Sequence, residues 1–193
     1  MASLLKDLIK KVHLLEAEEM IRRYFVMNGF DGILTVLGIL IGSYISGNLN
    51  PKLIINVTLA SGVAMFVSGF FGAYIAERAE RLKEIKELER ALLKDLSNSV
   101  YKDAVNAVTI IVGIVDGTSP LVVSLLTILP FFLGLEPLFA FCISIGIAII
   151  QLFIMGAYLG RISKERAFFG GIRMVAIGIL SMLLMLLLGS LPP

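Results

Sequence analysis

Seven side chains in this sequence stand out as candidates to hold a metal cation, and their spacing separates them into two settings. Asp31, in Asn28-Gly29-Phe30-Asp31-Gly32-Ile33-Leu34-Thr35, heads an otherwise uncharged apolar run that continues through Ile45. Asp116, in Asp116-Gly117-Thr118-Ser119-Pro120, is the sole charge in a second apolar run. An ionisable group inside such a run is expensive in a membrane and marks a functional site by default. The other setting is hydrophilic. Glu77, Glu80, Glu84 and Glu87 follow i, i+3, i+7, i+10 spacing, which puts them within roughly 80° of one helix face. Met65 adds a thioether, in a context that suits packing or a lipid-facing role as readily as a soft ligand. Carboxylate oxygens suit Mn²⁺, Fe²⁺, Ca²⁺ and Mg²⁺, and a thioether shifts the preference toward softer metals. The plain alternative for the acidic row is a solvated face balanced by the Lys and Arg residues between its members.

The elements that must position these groups are membrane helices. Of 193 residues, 58% are hydrophobic and 17% charged, against about 25% charged in an ordinary soluble domain. Residues 32–51, 53–76, 137–160 and 174–193 carry no formal charge, and 104–135 contain only Asp116. Each run reaches the ~20 residues that cross a hydrocarbon core as a helix. Five spans follow, at about 26–47, 54–77, 104–134, 137–160 and 168–189. The expected fold is an all-α, multi-pass integral membrane protein, located in the cell membrane if the source is prokaryotic. Sixteen of the seventeen Lys and Arg residues lie on one side of these spans and Lys52 alone on the other. The positive-inside rule then puts the N-terminus in the cytoplasm and the C-terminus outside.

Residues 1–25 read as an amphipathic interfacial helix, with Leu4, Leu5, Leu8, Ile9, Val12 and Leu15 at helical spacing and lysines opposite. That segment lacks the central apolar region of a removable signal peptide. The transmembrane domain occupies 26–189 and includes a short acidic linker at 78–103. The second span continues into this linker as a helix, because residues 77–95 lack Gly and Pro and are rich in helix formers. Leu82, Ile85, Leu88 and Leu92 form an apolar stripe there, suited to the N-terminal helix or a second subunit. In span two, Ala60, Ala64, Ser68, Gly72 and Ala76 give a small residue at every fourth position, a surface on which another helix approaches closely. Pro120 is expected to break span three and free a carbonyl beside Asp116, Thr118 and Ser119, a combination that suits cation coordination. Gln151 is read as a helix–helix hydrogen-bonding group.

The chain also repeats itself. Asp31-Gly32 matches Asp116-Gly117 at an offset of 85, Gly72-Ala73-Tyr74 matches Gly156-Ala157-Tyr158 at 84, and Glu80-Arg81 matches Glu165-Arg166 at 85. The copies are parallel two-helix units with span five outside them. Substrate sites in such folds tend to lie at the repeat interface. An enzyme is least favoured, since there is no nucleophile–base set and the single histidine, His13, lies outside the spans. Single Cys142 excludes a disulfide framework, and nothing points to nucleic acid.

Glu19-Met20-Ile21-Arg22-Arg23 followed by Asn28-Gly29-Phe30-Asp31-Gly32-Ile33-Leu34-Thr35 resembles the opening of the vacuolar iron transporter family. So does span two, with Ser68, Gly72 and Tyr74 ahead of Ala76-Glu77-Arg78-Ala79-Glu80. The resemblance implies a homodimer with a metal path at its interface, exporting Fe²⁺ or Mn²⁺ from the cytosol in exchange for protons, with no permanently bound cofactor. It matches Asp31 to the family's membrane aspartate, and Glu77 and Glu80, then Glu84 and Glu87, to its cytoplasmic carboxylates. The chain departs from the family in three places. About 25 residues stand in place of the larger three-helix cytoplasmic metal-binding domain of the family's plant and fungal members, Gly69 stands where the family has a methionine, and Ser61 stands where it has a glutamate. Met65, one turn from Gly69, is the candidate thioether. A carboxylate in a low-dielectric bundle that holds either a proton or a metal is the simplest basis for exchange. Two alternatives stand beside this reading: a transporter or channel for another cation, and a non-transporting membrane scaffold in which Asp31 and Asp116 are structural partners of Asn and Ser groups.

Overall fold

Residues 17–96 and 99–189 are described by the computed structural model, and among them every regular element is a helix. The order is α1 (Glu18–Ile45), α2 (Pro51–Leu92), α3 (Val100–Thr127), the one-turn α4 (Leu129–Phe132), α5 (Pro137–Ile162) and α6 (Ala167–Gly189). The five long helices are each long and apolar enough to cross a membrane. Helix is what an apolar run must form there, because every backbone N–H and C=O has to be satisfied within the segment. The amphipathic stretch before Ala17, with His13, lies outside the described residues. Residues 18–25 are continuous with the first span, and the acidic pair Glu18 and Glu19 in the first turn of α1 complements its dipole.

Helix ends are set by local chemistry. Gly47, with φ +66°, closes α1: its N–H bonds Tyr44 O at 3.0 Å and the Asn48 N–H reaches back to Ser43 O at 3.0 Å. This is the paired closure that a left-handed residue allows. Asn50 then caps α2 by accepting from Lys52 N at 3.0 Å and Leu53 N at 3.5 Å, with Pro51 as first helical residue. Helix α2 runs 42 residues without a break, about 63 Å at 1.5 Å per residue. That is roughly twice the ~30 Å hydrocarbon core, so the acidic row stands on the same rod as the small-residue stripe.

Pro120 does not break span three. It lies inside α3, which continues to Thr127, and the real interruption comes before α4, with Pro130 in that element's first turn. A broken helix in an apolar run would leave several backbone groups unsatisfied at several kcal/mol each, whereas a proline within a continuous helix forfeits one bond. The main helix of span three therefore covers 100–127 rather than 104–134.

The chain divides into two compact units, and α1, α2 and α3 each contribute a part to both. One unit takes the residues through Asn28 with Phe66–Thr118. Its core is Ala17, Ala73, Ile85, Ala104, Val105, Val108 and Val112, with Met20, Ile21, Tyr24 and Leu82 against it. Half of the expected apolar stripe of the linker, Leu82 and Ile85, is thus used within the chain, while Leu88 and Leu92 stay exposed. In the same unit Gly117 lies against the main chain of α2, where an added Cβ would sit 2.6 Å from Phe66 O. The other unit takes Gly29–Met65 and Ser119 onward. It is built on Ile33, Leu37, Val123, Ala148, Leu152 and Met155, and on a second cluster around Val36, Leu40, Ile54 and Ile128. There Gly32 meets Pro120, and an added Cβ would lie 2.7 Å from both its Cα and its O. The glycine of each Asp-Gly pair is a point of backbone-to-backbone contact.

Candidate metal path

The aspartates of the two Asp-Gly pairs occupy opposite environments. Asp31 is exposed on the surface of the protomer, whereas Asp116 is only 5% exposed. The Asn28 side-chain amide donates to Asp116 Oδ1 and also reaches Tyr24 O at 3.4 Å. Gly69 makes room for the buried carboxylate: an added Cβ would lie 3.1 Å from Asp116 Oδ2. The space beside Gly69 is thus taken by the carboxylate of Asp116. Thr118 hydroxyl is spent on its own helix, donating to Ile114 O at 2.6 Å.

On the Asp31 side, Thr35 lies one turn further along α1. Its hydroxyl donates to Asp31 O at 2.8 Å and lies 3.8 Å from Met65 Sδ. A thioether of α2 is thereby held beside the turn that carries the exposed carboxylate, both within one unit. Ser124 Oγ donates to Pro120 O at 2.5 Å and approaches Gly32 O at 3.4 Å. Gln151, read as a helix–helix group, does that work: its Oε1 accepts from Thr127 Oγ1 at 3.0 Å and its amide donates to Val123 O at 3.4 Å.

The acidic row is not a ready-made cage. Glu77 accepts from Tyr24 OH at 2.9 Å and is half-buried, Glu84 pairs with Arg81 at 3.0 Å, and Glu80 and Glu87 are exposed. Among the described residues no three His, Cys, Asp or Glu side chains come close enough to hold a metal together. The groups that the sequence reading passed over are Tyr24, Asn28 and Thr35. With Asp31 they fall at i, i+4, i+7 and i+11 along α1, a polar stripe legible by helical spacing whose partners are not.

A family model described as the VIT family matches residues 95–190. An uncharacterized protein of Methanocaldococcus jannaschii is 40% identical over 158 residues, which are 80% of this chain and 81% of that protein. The chain belongs to the VIT family. The family match falls on the second half of the chain, whereas the motifs that resemble the family lie in spans one and two, so the two observations are separate. Membership makes this a multi-pass membrane protein of a family of metal-ion transporters. No solved structure matches the chain. Within the VIT family setting, the feature that stands out is a membrane carboxylate turned out of the protomer, with a thioether against Thr35 one turn further along the same helix.

Proposed function

We propose that this VIT family member exports a divalent cation, Fe²⁺ or Mn²⁺, from the cytosol in exchange for protons, as a homodimer in the cell membrane. The observation that carries the reading is the exposure of Asp31 at the head of an uncharged apolar helix. Ionisable side chains within membrane spans face a bundle interior or a water-filled cavity, not lipid. An exposed one in the protomer calls for cover, and a second copy supplies it. Exposure of Ala60, Ala64, Gly72 and Ala76 along α2 supports the same reading, since small residues let a helix of the second copy approach closely.

In this reading Glu80 and Glu87, exposed, and Glu77 and Glu84, held by Tyr24 and Arg81, collect the ion at the cytoplasmic end of the path. Asp31 takes it within the membrane, with Met65 as the soft donor that favours Fe²⁺ over harder ions. A proton replaces the metal on the same carboxylate after release. Asp116 is left out of the path, because Asn28 already engages it inside the protomer. It acts as the internal partner that the scaffold alternative foresees for it.

The test is uptake of Fe²⁺ or Mn²⁺ into proteoliposomes, with internal pH recorded. Asp31→Asn should abolish flux while the protein still elutes as the wild type does. Unchanged flux in Asp31→Asn removes the proposed role of that residue, and competition among Mn²⁺, Fe²⁺, Ca²⁺ and Zn²⁺ decides the ion.

A further inference from the structure

The second half of the chain has a feature that ion transport leaves unused. The α5–α6 connection, residues 163–166, is tight: Glu165 N–H bonds Gly160 O at 2.9 Å, and Lys164 takes φ +58° to close α5. It concentrates Arg161, Lys164 and Arg166, with Arg173 in the second turn of α6. Two grooves open beside it. One, about 380 Å³, passes Gly156, Gly160 and Gly170 to Met174 and Ile177. Its cation is already satisfied, because Arg173 pairs with Glu165 at 2.7 Å.

The other groove, about 280 Å³, is lined by Phe153, Ile154, Ala157, Tyr158 and Arg161. These positions follow one face of α5 for about 12 Å, and Phe168 of α6 stands edge-on to Phe153 at 6.0 Å between ring centroids. Its floor is apolar, and its one end carries Arg161. Among the described residues no carboxylate pairs with Arg161, Lys164 or Arg166. A helix-parallel apolar furrow that ends in an unneutralised cation, Arg161, with Lys164 and Arg166 following within five residues, has the two-part chemistry of a lipid: a chain along the helix and an anionic headgroup at its end. The charge distribution puts this connection on the cytoplasmic side, where anionic lipids concentrate and basic pockets between helices bind their headgroups.

We infer that the groove from Phe153 to Arg161 is a binding site for an anionic phospholipid, with the phosphate against Arg161 and Arg166 and an acyl chain over Ala157 and Ile154. The inference does not depend on which ion is carried. A basic residue near an anionic surface contributes roughly fivefold in affinity. Removing two therefore weakens binding on the order of 25-fold.

The experiment is native mass spectrometry of the purified full chain in detergent, titrated with phosphatidylglycerol or phosphatidylcholine. Wild type should retain phosphatidylglycerol and not phosphatidylcholine. The double variant Arg161→Gln, Arg166→Gln should lose it, and Ala157→Phe, which fills the groove without changing charge, should lose it too. Arg90→Gln with Lys94→Gln removes the same charge from the end of α2 and should leave retention unchanged. Equal retention by wild type and the Arg161, Arg166 variant overturns the site. So does equal loss in the α2 control, equal retention of the two lipids, or displacement by millimolar inorganic phosphate, which would indicate a free-anion site. Loss of a dimer in the Arg161, Arg166 variant with lipid retention intact would overturn it in favour of a second copy on this face.

Discussion

Adding one methyl group at Gly32 tests whether the Asp-Gly pair is a packing device. A Cβ there would lie 2.7 Å from Pro120 Cα, 2.7 Å from Pro120 O and 2.9 Å from Val123 Cγ2. Two of the three obstacles are backbone and cannot rotate away, so α1 and α3 must separate locally. Overpacking of this kind costs about 1–3 kcal/mol, and a backbone clash belongs at the upper end. Alanine regains about 1 kcal/mol of helix preference over glycine, which leaves a net loss of roughly 2 kcal/mol for Gly32→Ala. In a chain of this length that lowers the midpoint by roughly 4–8 °C. Gly42→Ala on the same helix is the control, because an added Cβ there meets nothing within 4 Å; it should hold or slightly raise the midpoint. Thermal melts in one detergent, followed by circular dichroism, read the difference. Equal midpoints for the two variants would refute the argument that Gly32 is selected for close approach.

Two further outcomes follow from the polar contacts. Asn28→Leu deprives buried Asp116 of its amide donor and should cost about 1–3 kcal/mol; a double-mutant cycle with Asp116→Leu should return a coupling of at least about 1 kcal/mol, and additive effects would count against the pair. Tyr24→Phe removes the donor to Glu77 Oε1, a bond worth about 1 kcal/mol, so the melting midpoint should fall by roughly 2–4 °C; an unchanged midpoint would count against the bond.

Much of this architecture is legible in the residue pattern, because the membrane leaves an apolar run only one way to satisfy its backbone. The spans read at 137–160 and 168–189 locate α5 and α6 to within two residues. The Glu, Lys and Leu composition of 77–92 likewise announces that α2 continues past its apolar part. Pro120 misleads because a proline signals a break wherever water can satisfy the freed carbonyls, and here breaking costs more than keeping the helix. The roles of Tyr24 and Asn28 are illegible for a different reason. Their partners Glu77 and Asp116 stand 53 and 88 positions away, and no spacing rule spans that distance. The contrast between Asp31 and Asp116 is hidden for the same reason: identical dipeptides differ only in what the rest of the fold puts against them.

That contrast sets a charge stoichiometry. Two aspartates, Asp31 and Asp116, stand in the apolar runs, and one of them, Asp116, is buried against an amide of its own protomer. Asp31 is therefore the one of the two whose carboxylate is exposed on the surface of the protomer. A divalent ion carried through an apolar layer without net charge needs two. If the cation passes Asp31 without net charge, the second carboxylate comes from elsewhere than Asp116, and a second copy of Asp31 is the source that the proposed homodimer supplies.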